Sequence, residues 1–146
     1  MQKIRDLMAA QLRAGLSPER VALAVALGMV IGVFPVLGTT TMLCVIAAVV
    51  FRLNHAVIQA ANYMVYPVFF VLVIPFARAG AWLFGTDAHA LTLAAMRASY
   101  HRGYVVFARQ LGVQLYHAAV AWLLVAPIAV ALLWTVIRAL VARRAR

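Results

Sequence analysis

Gly38-Thr39-Thr40-Thr41 places three hydroxyls behind a glycine, at what reads as the start of a helix. A helix start presents unsatisfied N–H groups and the positive end of the dipole, so extra hydroxyl donors there suit an anion. Arg78 is the one charge inside a second apolar block, where charged side chains often mark a substrate path. Gly38, Thr39, Thr40, Thr41 and Arg78 therefore form a candidate site for a lipid phosphate or another small anion. Arg78 also fits a plainer role, snorkelling to an interface near Gly85 with Trp82 beside it.

Catalytic patterns are thin. The chain carries no Walker motif, no zinc spacing, no His-Glu-x-x-His and no nucleophile elbow. Its three acids, Asp6, Glu19 and Asp87, all lie outside the apolar runs, so paired carboxylates are not expected. His89, His101 and His117 are too far apart for a metal motif, and Cys44 is the single cysteine. Cys44 sits in an apolar run and is expected to pack as a small hydrophobe. We expect neither an enzyme nor a metal nor a cofactor.

The elements that must position the threonines come next. Val21–Phe51 carries no charge, and Pro35 and Gly38 cut it near the middle. Ser17 can cap the first arm, Pro18 fits its first position and Glu19 favours its dipole. Each arm measures roughly 22–25 Å at 1.5 Å per residue, short of a bilayer core of about 30 Å. The expectation over residues 18–53 is a re-entrant helical hairpin with its tip at Phe34–Gly38 and the threonines capping the second arm. Ala24, Gly28 and Gly32 fall four apart, a small-residue stripe that admits close helix packing, with the second arm as the expected neighbour.

Asn54 can cap the next block, 56–84, which holds Pro67 and Pro75 and reads as one kinked span. Gln59 and Asn62 in its first half are expected to hydrogen-bond between helices. Residues 86–117 read as an interfacial connector, with Thr86-Asp87 as a helix start and Gly103 dividing two amphipathic pieces. Residues 118–141 are the cleanest transmembrane helix, kinked at Pro127, with Trp122 and Trp134 towards its ends. A basic tail, 142–146, follows. At the other end, 1–15 has the pattern of an amphipathic interfacial helix that is retained rather than cleaved.

Composition agrees with a membrane. The 146 residues are 67% hydrophobic and 11% charged, against roughly 25% charged in a soluble domain. A formal net charge of +10 would suggest nucleic acid in a soluble protein. Here the charges flank apolar runs, where the positive-inside rule and anionic headgroups account for them, so no nucleic-acid role is expected. The expected fold is a single all-α membrane domain with two full crossings and both termini inside.

Leu16-Ser17-Pro18-Glu19-Arg20, then Gly28 and Gly32, then Phe34-Pro35-Val36-Leu37-Gly38-Thr39, then Arg52-Leu53-Asn54, resembles a family in its order of motifs. That family is the uncharacterised bacterial integral-membrane domain-of-unknown-function family "twenty sixty-two". The likeness covers roughly residues 15–85 and continues more loosely through the last helix. Many members carry an Asn-Pro pair in the second block; here Asn62 and Pro67 stand apart, so no role for that pair is carried over. The resemblance implies a bacterial inner-membrane location and no established activity. Because the domain also occurs fused to glycosyltransferases, it further implies a link to lipid-carried sugars and a glycosyltransferase or cell-envelope partner.

Two functional readings fit these features. One is a small transporter, or transport subunit, for a lipid-linked or other anionic substrate, acting with membrane lipids and as a homo-oligomer. The other is a non-catalytic scaffolding subunit of a cell-envelope or glycosylation system.

Overall fold

A computed structural model of the chain describes residues 17–36, 38–86 and 92–144. The expected amphipathic helix over 1–15 lies outside the described residues, as do Asp87, His89 and the end of the basic tail. The described residues form six helices and no strand: α1 Pro18–Gly32, α2 Thr40–Val50, α3 His55–Met64, α4 Tyr66–Leu83, α5 Leu93–His101 and α6 Tyr104–Arg144.

Local chemistry sets the helix starts. The Ser17 hydroxyl accepts from the Arg20 N–H at 3.4 Å, with Pro18 and Glu19 in the first turn of α1. Asn54 Oδ1 accepts from the Ala56 and Val57 N–H groups at 2.9 and 3.2 Å and starts α3. Thr92 does the same for α5, accepting from Ala95 N–H at 3.3 Å.

Two of the stops rest on residues in the left-handed region. Gly85, at φ 62°, ends α4, and the Thr86 N–H then reaches back to the Ala81 carbonyl at 2.8 Å. Thr86 thus closes α4, and the helix expected to start at Thr86-Asp87 lies outside the described residues. Arg52, at φ 53°, ends α2 in the same way, with Leu53 N–H donating to Ala48 O at 2.8 Å. A non-glycine residue held there costs about 1–2 kcal/mol.

Helices α1, α2 and α3 run up, down and up. Gly28 lies against the Ile58 carbonyl and Ala61, and Gly32 against Val65 and Asn62, so α1 and α3 are parallel and in close contact. The small-residue stripe therefore receives α3, not the second arm as expected. α3 meets the two glycines with Ala61 and bare backbone, which admits the close approach. Cys44 is fully buried among the apolar residues of this three-helix cluster, as a small hydrophobe.

The block expected as one span is two helices, joined at Val65 just before Tyr66-Pro67. Pro67 at the second position of α4 has no N–H to give the preceding turn, which ends α3 there. α4 packs along α6, with Gly80 against the backbone of His117 and Ala118. α6 is one helix of 41 residues, so the second half of the expected connector is continuous with the last span, and Gly103, at φ 124°, separates it from α5. α1 and α6 are antiparallel: Glu19 pairs with Arg138 at 2.7 Å at one end, and Val30 meets Trp122 at the other.

Two helices, Tyr66–Leu83 and the Tyr104–Val141 part of α6, are long and apolar enough to cross a membrane. Much of their apolar surface points outward: Val71 is 69% exposed, Phe70 62% and Ile128 63%.

Candidate functional site

Pro35 creates the site. It has no N–H, so the Ile31 carbonyl cannot receive its usual fourth-residue partner and takes Phe34 N–H instead, at 3.0 Å. That in turn deprives the Val30 carbonyl of Phe34, leaving only a long 3.4 Å bond from Val33 N–H. The indole N–H of Trp122 fills the gap, donating to Val30 O at 3.1 Å across 92 positions of sequence. The Phe34 ring meets the Trp122 ring edge-on at 4.9 Å. The sequence places Trp122 near the end of a span; it is instead buried against the broken end of α1.

Beyond the break, Gly38 turns the chain at φ 85° into α2. The threonines do not cap this helix as expected. Thr39 occupies the cap position in a helical conformation, and its hydroxyl donates backwards to Val36 O at 2.8 Å. Thr41 shares a hydrogen bond with the Tyr63 hydroxyl at 3.3 Å. Thr40 is buried, and its hydroxyl has no partner among the described residues. The first turn of α2 is left without a side-chain acceptor, and a buried hydroxyl sits beside it.

Gln59 and Asn62 reach the same place from α3. Gln59 Nε2 donates to the Thr41 carbonyl at 3.0 Å, which turns its Oε1 towards Asn62 Nδ2 at 3.3 Å. Because the first acceptor is a carbonyl, the relay fixes both carboxamide orientations. It leaves the fully buried Asn62 Oδ1 unpartnered and facing Gly32. Tyr66 stacks on Tyr63 at 6.0 Å and closes the outer edge of the cluster.

Arg78 does not join this cluster. It is exposed on α4, about 18 Å of helix beyond Tyr66. No hydrogen bond or ion pair among the described residues links it to the threonines. Gly28 and Gly32 serve the α1–α3 contact that holds Asn62 in place, and Ala24 is buried in the core cluster.

Sequence reasoning missed a second polar junction, at the far end of α4. His117 is buried, stacks on Phe84 at 4.3 Å, and shares a 3.4 Å hydrogen bond through Nδ1 with Thr86. A signal for it exists in the sequence: Gly80 lies four before Phe84, offering α6 the close approach that brings His117 in. No group of three or more metal-ligating side chains is found among the described residues.

A family model described as an uncharacterized protein conserved in bacteria (DUF2062) matches residues 1–146. No curated protein and no solved structure matches the chain.

Proposed function

The chain belongs to that bacterial family, and on that premise we propose that it is a multi-pass inner-membrane protein whose α1–α2 hairpin enters the membrane and turns back within it. The outward-facing apolar residues of α4 and α6 support the embedding. α6 serves as a ruler. From Arg138 to Trp122 is about 24 Å of helix, against a core of about 30 Å. If the half-exposed Glu19–Arg138 pair marks one boundary, the tip at Phe34–Gly38 turns short of the other. The same pair favours having the start of α1 and the end of α6 on one side, the cytoplasmic one by the positive-inside rule.

The tip is a binding site for a phosphate-bearing substrate, and the protein is a transport subunit for a lipid-linked or related anionic substrate. One observation carries this reading: the uncapped first turn of α2 beside the buried, unpartnered Thr40 hydroxyl. A short chain encloses little of a path, so transport calls for a homo-oligomer. Arg78 is left to the interface. The role is non-catalytic.

The test is native mass spectrometry of the full chain with sn-glycerol 3-phosphate. Binding that falls about tenfold in Thr40→Val and persists in Arg78→Ala supports the reading. Equal binding by the wild type and Thr40→Val sinks it.

A scaffolding role has its own supporting observation. α5 and the start of α6 expose Tyr100 and Tyr104 among Arg97, Arg102 and Arg109, a surface suited to a cell-envelope or glycosyltransferase partner. Crosslinking from Tyr100 to such a partner, with no binding of glycerol phosphate, would favour it.

A further inference from the structure

The α2 face that starts at Thr39 and Thr40 continues at helical spacing through Leu43, Ala47 and Val50, and these three form one wall of an open groove. α6 supplies the other wall with Ala119, Trp122 and Val130, while α1 forms the floor. The groove holds about 540 Å³, and every residue lining it is apolar. Its one N–H of note, on the Trp122 indole, is already donated to Val30. A polar ligand therefore finds nothing to bond along its length.

Its dimensions select the occupant. Ala119 to Val130 is about 16 Å of helix, and one leaflet of a core about 30 Å thick is about 15 Å deep. Measured along α6 from Arg138, the groove occupies the interval from about 12 to about 28 Å, the leaflet opposite the Glu19–Arg138 pair. An acyl chain reaching through one leaflet matches that length and needs no polar partner along it.

We propose that the groove holds one acyl chain of a glycerophospholipid from the leaflet opposite the Glu19–Arg138 pair. The headgroup lies toward Thr39 and Thr40 at the hairpin tip. This rests on the membrane-embedded reading above and gives its phosphate site a lipid tail. The apolar wall and the uncapped helix start then serve the two ends of one amphipathic molecule.

The experiment uses the full chain in detergent with diacyl phosphatidylglycerol, and separately with sn-glycerol 3-phosphate. Ala119→Phe fills the groove and lowers retention of the diacyl lipid by about tenfold while leaving glycerol phosphate binding intact. Leu132→Phe, on the exposed face of α6, changes neither. Unchanged diacyl retention in Ala119→Phe overturns the groove proposal, even where Thr40→Val abolishes glycerol phosphate binding and so upholds the tip site. Loss of the diacyl lipid in Ala119→Phe with no effect of Thr40→Val upholds the groove and refutes the headgroup site.

A fluorescence measurement decides the matter even if Ala119→Phe does not fold. With Trp82→Phe and Trp134→Phe leaving Trp122 as the only tryptophan, phosphatidylglycerol brominated in mid-chain quenches its emission at least twofold more than headgroup-labelled lipid. Equal quenching by the two lipids, or a crosslink between copies through Ala119→Cys, overturns the proposal.

Discussion

Proline enters the apolar helices at Pro35 and at Pro127 with opposite results: α1 stops just before the first, whereas α6 runs through the second. Each removes one N–H and crowds the turn before it. The difference lies in the residues downstream. Pro35 is succeeded by Gly38, which takes φ 85° and reverses the chain, whereas Pro127 is succeeded by Ile, Ala, Val, Ala, Leu and Leu, with no residue suited to a turn. The carbonyl freed at Val30 is then met by Trp122, a donor on another helix. At Pro35 the helix ends because a glycine lets the chain leave and a neighbour takes up the abandoned acceptor.

The strongest way to break this contrast is to remove the neighbour. Trp122→Ala opens a cavity against Phe34 and orphans the Val30 carbonyl, and should destabilise the chain by about 3–5 kcal/mol in denaturant titration of the detergent-solubilised protein. Trp122→Phe keeps most of the ring packing and loses the donor. A cost of about 1–3 kcal/mol is expected, and a result indistinguishable from wild type would mean that the indole N–H does not hold the break. Gly38→Ala forces a Cβ into the left-handed region, where nothing crowds it, so only the conformational cost of about 1–2 kcal/mol should appear as a lowered Tm. Pro127→Ala restores a helical N–H in α6 and should shift stability by less than about 1 kcal/mol in either direction. A loss of several kcal/mol there would show that the two prolines are more alike than the backbone suggests.

Features that depend on neighbours in sequence are legible from the residues themselves. Ser17 and Asn54 announce caps because the N–H groups they accept from lie two or three residues away. Pro35 and Gly38 announce a break for the same local reason. Which helix fills the Ala24–Gly28–Gly32 stripe is not legible, since small residues advertise a close approach without naming the visitor. Trp122 misleads because a tryptophan near the end of an apolar run reads as an interfacial anchor. Its acceptor exists only because of a proline far upstream, and no local pattern records that. The threonines show a subtler limit. Their types suit capping, yet the tight turn at Gly38 sends one hydroxyl backwards and buries another. Charge alone groups Arg78 with them, and its distance along α4 separates them.

The length of α6 has a mechanical consequence. At 41 residues it measures about 61 Å, roughly twice the thickness of a bilayer core. No proline interrupts it between Tyr104 and Trp122, so its outer end and the indole that latches α1 belong to one stiff rod. α5 is docked on that outer end. A displacement of that end of α6 therefore meets no proline before it reaches the Trp122 indole, its hydrogen bond to Val30 and its contact with the Phe34 ring.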